Sequence, residues 1–172
     1  CFSKHQKNIQ FLNSTSTKLP FMNNSVDRVL ALESAQHFKP LDDFIVESKR
    51  VLIPSGFLVM AVPITVSNAS LEKLGLLKFT WSSEHYSLDH LKNLLASNGF
   101  KIIDEKLIGS NVYDPLADYY VENRKTLSNN ILEQYPGYME KILYKSLLKM
   151  KKASEEKIID YVLLKCVLEN KS

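Results

Sequence analysis

At 172 residues, with 45% hydrophobic and 24% charged side chains, the chain is long enough for one domain with a sizeable core and too apolar to be disordered. A net charge of +3 gives no electrostatic case for a nucleic-acid partner. Cys1 and Cys166 stand at opposite ends and the four histidines show no ligand spacing, which excludes a recognisable metal motif. No apolar run approaches the ~20 residues of a membrane span, so the composition reads as a cytoplasmic protein with reduced thiols.

In chain order, Asn8–Leu12 reads as a short strand and Asn13–Lys18 as a polar loop. Leu19-Pro20-Phe21 packs that loop down, and Asn23-Asn24-Ser25 turns it. Asp27–Leu32 is the next strand. Its Val29-Leu30-Ala31-Leu32 run lacks alternation, as expected for a strand covered on both faces. Polar residues cluster where it ends: Glu33, Ser34, Gln36 and His37. Ligands of open parallel sheets bind at the carboxyl ends of strands, so the candidate site falls at Glu33–His37.

Pro40, with Asp42 and Asp43 behind it, starts a helix whose inward face is Leu41, Phe44, Ile45, Ser48 and Leu52. Pro54-Ser55-Gly56 ends it in a tight turn, and Phe57–Ile64 is a buried strand. Ser70 caps a short helix marked by Leu71, Leu74 and Leu77. Ser87 caps a second one, with Leu88, Leu91, Leu94 and Leu95 inward and Gly99 closing it. Lys101–Ile108 is a strand. Residues 110–157 are helical and aromatic, broken at Pro136-Gly137, and Ile158–Leu168 is the last strand. The alternation predicts an α/β fold: a mostly parallel sheet with helices on both faces, residues 110–157 being a helical insertion.

The stretch Leu19-Pro20-Phe21, Val26-Asp27-Arg28-Val29 and Glu47-Ser48-Lys49-Arg50-Val51-Leu52-Ile53-Pro54-Ser55-Gly56 resembles the C-terminal half of the class I S-adenosylmethionine-dependent methyltransferases, small-molecule branch. His85-Tyr86-Ser87-Leu88 through Asn98-Gly99-Phe100 is similar to the family's helix and Gly-Phe turn. The resemblance implies a Rossmann-like sheet whose last strand is antiparallel, and a lid built from residues 110–157. It covers residues 8–110 and Ile158–Leu168. The family's Gly-x-Gly turn is missing, since the glycines stand isolated at 56, 75, 99, 109 and 137. Residues 1–172 therefore read as a single partial methyltransferase domain without its N-terminal cofactor-binding half, with unpaired strand edges that favour self-association.

The resemblance also implies roles. S-adenosylmethionine, converted to S-adenosylhomocysteine, would be flanked by Thr15, Ser16, Leu32, Glu33, Ser34 and His37, Thr15 standing where the family often carries an Asp. A histidine at this place, His37, suits the role of a general base that removes a proton from the methyl acceptor, though alignment alone supplies much of such a rate. Trp81, Tyr86, Tyr113, Tyr119 and Tyr120 would line the pocket of a small-molecule acceptor methylated on O or N. The alternative is a non-catalytic methyltransferase-like domain serving in substrate binding or as a homodimer. A nucleic-acid methyltransferase is disfavoured, because the Asn/Asp-Pro-Pro-aromatic motif is absent. Lys141, Lys145, Lys149, Lys151, Lys152 and Lys157 form a basic stripe, read as a solvated helix face, with a phosphate-bearing substrate or an anionic surface left open.

Overall fold

The structure, a computed structural model, describes residues 9–66, 72–81 and 84–169. β1 (Val26–Leu32) leads through a 3-10 turn (Ala35–His37) into helix α1 (Leu41–Val51) and strand β2 (Leu52–Thr65). The short α2 (Leu77–Thr80) and α3 (Leu88–Ser97) precede β3 (Phe100–Leu107). Three helices follow, α4 (Gly109–Glu122), α5 (Arg124–Leu132) and α6 (Gly137–Glu155), before β4 (Ile159–Leu168). These three helices thus lie between β3 and β4, with breaks at Asn123 and at Pro136.

The sheet order is β1-β2-β4-β3. β1 runs parallel to β2, and β4 is antiparallel to both β2 and β3, so three strands point one way and the last opposes them. Successive side chains of a strand face opposite sides. In β2, Leu58, Met60, Val62 and Ile64 join Phe44 and Ile45 of α1 and Leu91 and Leu95 of α3 in one core. Ala61 points the other way, into a second core with Leu74, Leu77, Tyr113, Ile159 and Tyr161. Helices therefore pack on both faces, as the alternation implies. Ser87 caps α3, its hydroxyl accepting from the His90 amide at 3.2 Å.

Four local expectations need correction. Residues 9–12 form no strand. Ile9, Phe11 and Leu12 are exposed, and no ladder lies beside them among the described residues. β1 is covered on one face: Ala31 is 2% exposed, whereas Leu30 is 61% and Leu32 57% exposed. Its outer edge is unpaired among the described residues, and the second face of the unbroken apolar run is exposed. β2 starts at Leu52, ahead of the Pro54-Ser55-Gly56 turn. The register passes from Val26↔Leu52 to Arg28↔Phe57, so the turn bulges out within the strand. A Cβ on Gly56 would meet Ile53 O at 2.9 Å and Asp27 O at 3.2 Å, which requires glycine there. The short helix expected at Leu71–Leu77 starts at Leu77 itself; Ser70 and Leu71 lie outside the described residues, as does Asn8.

The family-like Glu47–Arg50 pair is a clamp. Arg50 bonds both Glu47 oxygens (2.7 and 2.8 Å), the carbonyls of Leu19 (3.0 Å) and Phe21 (2.8 Å), and Asn23 Oδ1 (2.8 Å). The Leu19 amide donates to Glu47 Oε1 at 2.6 Å. The hydrogen bond from Arg50 holds the Glu47 carboxyl below its ordinary value. The motif thus fastens the segment ahead of β1 to α1.

Candidate active site

β1 delivers the chain to the sheet's carboxyl edge at Glu33. Glu33 has φ +51, in the left-handed region, while its amide still donates to Ala61 O at 3.1 Å. Non-glycine residues seldom hold this conformation, and it concentrates at functional sites. The 3-10 turn that follows is closed by the His37 amide on Ser34 O (2.9 Å) and the Phe38 amide on Ala35 O (3.1 Å). That turn buries Gln36 to 5% exposure. Gln36 Nε2 donates to Glu33 Oε2 at 3.2 Å, and Gln36 Oε1 is buried without a hydrogen-bond partner among the described residues. An orphaned carbonyl of this kind costs about 1–3 kcal/mol and calls for an explanation.

Two buried tyrosines complete the cluster. Tyr161 enters from β4, opposite Pro63 of β2, and is 5% exposed. Burial, and then the Glu33 carboxylate beside it, push its phenol well above the ordinary value. Tyr113 enters from α4, 4% exposed, its ring edge-on to Tyr161 at 6.5 Å. Its hydroxyl donates to Asp160 O (3.3 Å) and accepts from Trp81 Nε1 (3.1 Å). Burial raises this phenol as well. Both hydroxyls therefore stay protonated at neutral pH. Trp81 stacks on His85 at 5.5 Å between centroids.

Asp160 sets the geometry. It is 1% exposed, and its Oδ1 accepts from the Gly109 and Tyr161 amides, both at 2.8 Å. This joins the first residue of α4 to the head of β4 and so fixes where Tyr113 and Tyr161 enter. A Cβ on Gly109 would lie 2.6 Å from Asp160 Oδ1, so only glycine fits.

Of the residues expected at the site, the fold brings together Glu33, Tyr113 and Trp81, adding Gln36 and Tyr161. Leu32 is exposed beside Glu33, Ser34 is half-buried, and His37 stands at the exposed end of the 3-10 turn. Tyr86 braces the same loop from behind: its hydroxyl donates to Phe38 O at 3.3 Å and its ring stacks on His90. Thr15 and Ser16 sit in a small turn closed by a Thr15–Lys18 bridge, with Thr15 bonded to Thr17 at 3.4 Å. Tyr119 is 59% exposed, and Tyr120 is buried against Leu147 on α6, away from Tyr113's cluster. Tyr161 and Asp160 escaped the sequence reading because they look like part of an ordinary apolar strand. Two polar residues at the head of IIDYVLLKCVL were the available signal.

Chemically, the cluster offers a carboxylate, an unsatisfied carbonyl and two neutral phenols. The first two are acceptors, suited to hydroxyl, amine or ammonium donors. That donor–acceptor set fits one flank of an S-adenosylmethionine site, whose ammonium and ribose carry donors. Among the described residues, no group of three or more His, Cys, Asp or Glu is placed to hold a metal.

Residues 2–60 match a family model described as a methyltransferase domain. The erythromycin 3''-O-methyltransferase of Saccharopolyspora erythraea is 28% identical over 127 residues, 67% of this chain and 42% of that protein. The chain thus spans less than half the length of this curated relative. Among solved structures, the cyclopropane synthase MmaA2 from Mycobacterium tuberculosis aligns with a TM-score of 0.71 at 17% identity, over 85% of this chain and 56% of that one. The Haemonchus contortus phosphoethanolamine N-methyltransferase 2 in complex with S-adenosyl-L-methionine aligns with a TM-score of 0.70 at 14% identity, over 91% and 36%.

Proposed function

We propose that the chain is part of a class I S-adenosylmethionine-dependent methyltransferase, and that it forms the acceptor-side wall of an enzyme that methylates an O or N atom of a small molecule. The observation that carries this reading is the buried, unpartnered Gln36 carbonyl beside Glu33 at the carboxyl end of β1. When bound, the cofactor supplies a methyl group on a positively charged sulfur, which an acceptor lone pair displaces in line. Gln36 Oε1 accepts a hydrogen bond from the acceptor's O–H or N–H and turns the lone pair of that atom toward the methyl. The Glu33 carboxylate receives a second donor, and the protonated Tyr113 and Tyr161 exclude water and hold that carboxylate's surroundings fixed. His37, at the open end of the turn, takes the proton released as the methyl arrives. Alignment of this kind is worth several kcal/mol, about 7–11 at best.

Leu32, Glu33, Ser34, His37, Thr15 and Ser16 flank the cofactor in this scheme, Glu33 and His37 reaching the acceptor as well. Trp81, Tyr86, Tyr113, Tyr119 and Tyr120 contribute to the acceptor side, with residues 110–157 as its lid. A cytoplasmic location is part of this proposal. No helix of the described residues is long and apolar enough to cross a membrane. A second reading is favoured by the uncovered Leu30 and Leu32: a methyltransferase-like unit that binds acceptor or pairs with a second copy through β1. Methyl transfer by the intact protein, assayed with labelled cofactor against hydroxyl and amine acceptors, decides between them. Transfer supports the first reading. Acceptor binding without transfer, or a dimer broken by Leu30→Asp, supports the second.

A further inference from the structure

We propose that the outer face of α6 is a docking surface for an anionic lipid membrane. Lys141, Lys145, Lys149 and Lys152 recur at helical spacing and form one stripe along a 19-residue helix that is about 28 Å long. Lys141, Lys145 and Lys152 are exposed and Lys149 is half-buried. Lys141, Lys145 and Lys149 have no ion-pair partner among the described residues, and Lys152 has only Glu156 on its own helix at 3.6 Å. Between Tyr138 and Lys152 the single carboxylate is Glu140, buried on the opposite side against Arg124. The stripe therefore carries uncompensated positive charge.

Charge alone would describe a solvated face. Here the lysines alternate with uncovered apolar groups: Tyr138 is 62% exposed, Ile142 37% and Leu148 39%. The α2 helix, which carries Phe79 at 86% exposure, is joined to α6 by Thr80, which accepts a hydrogen bond from the buried Ser146 at 3.0 Å. Water rewards the lysines but not these side chains. A bilayer surface rewards both, with phosphates for the ammonium groups and the acyl boundary for the ring and aliphatic groups. A nucleic acid would leave the apolar groups unused, and a second copy of the same face would set lysine against lysine.

The test is co-sedimentation of this chain with vesicles of phosphatidylcholine alone or with about 30% phosphatidylserine. Binding to the anionic vesicles only, released at about 0.5 M salt, is expected. Each lysine near such a surface contributes roughly a fivefold gain, so losing three costs about a hundredfold, and the charge-reversed triple variant K141E/K145E/K149E should bind more weakly still. The arginine triple variant should bind like the parent, and Phe79→Ser should weaken binding without changing its salt dependence. Lys141, Lys145 and Phe79 are exposed and Lys149 is only half-buried, so circular dichroism should report an unchanged fold for every variant. Equal binding to neutral vesicles would overturn the proposal, as would a charge-reversed variant that binds normally. Capture of a duplex oligonucleotide in place of vesicles, or a dimer that vesicles do not compete, would do the same.

Discussion

Gln36 and Asp160 are both buried polar residues, and their substitutions should have opposite consequences. Asp160 satisfies two backbone amides, so Asp160→Ala leaves those donors unpaired and should cost about 2–3 kcal/mol in a denaturant titration. Gly109→Ala drives a methyl group into the same carboxylate and should cost about 1–3 kcal/mol. Gln36→Leu instead removes an orphaned carbonyl, so its stability should be close to the parent's while acceptor binding falls. A large stability loss for Gln36→Leu would mean that the side chain holds the fold and not a ligand. Burial pushes the Cys166 thiol up to about 12, so the folded protein should resist thiol alkylation at pH 8 and react once unfolded.

The helical insertion is tied together by its own buried network. Tyr120 donates to Glu140 at 3.2 Å, and Arg124 bonds both Glu140 oxygens while its guanidinium lies 3.6 Å over the Tyr144 ring. The Arg124 hydrogen bonds, and then that of Tyr120, hold Glu140 below the ordinary carboxylate value. A depressed folded pKa contributes stability that is full above the unfolded value, near 4.5, and is lost as pH falls through the folded one. Unfolding free energy measured from pH 6 down to pH 3 should therefore fall for the parent and fall less for Glu140→Gln. Glu47, held down mainly by Arg50, adds a contribution of the same sign. At this scale the helical character of residues 110–157 and the break at Pro136-Gly137 were legible, while the break at Asn123 was not. Which aromatics meet was not: Tyr113 and Tyr120 lie on one helical face, yet Trp81 claims the first and Glu140 the second through contacts distant in sequence.

Across the whole molecule, the alternation of apolar runs and capped helices was enough to read the α/β order and the helical block ahead of the last strand, while the opposed direction of that strand came from the family resemblance. The strand expected at residues 8–12 failed because a strand needs a neighbour, and a single run of residues cannot say whether that neighbour is present. β1 misled for the same reason: its apolar run records what the face can bind, while Leu30 and Leu32 remain uncovered. The candidate site was half legible. Glu33 and its polar neighbours announce themselves at a strand end, whereas Tyr161 converges on them only through the pairing of β4 with β2.

The central claim is that Gln36 and Glu33 orient a methyl acceptor beside the cofactor. Its most direct test is steady-state methyl transfer by the intact protein and by Gln36→Leu, with the acceptor concentration varied. The account predicts transfer by the parent and, in the folded variant, an acceptor KM raised about tenfold or more, the loss of one hydrogen bond to a desolvated group. Unchanged acceptor kinetics in a folded Gln36→Leu protein would contradict it.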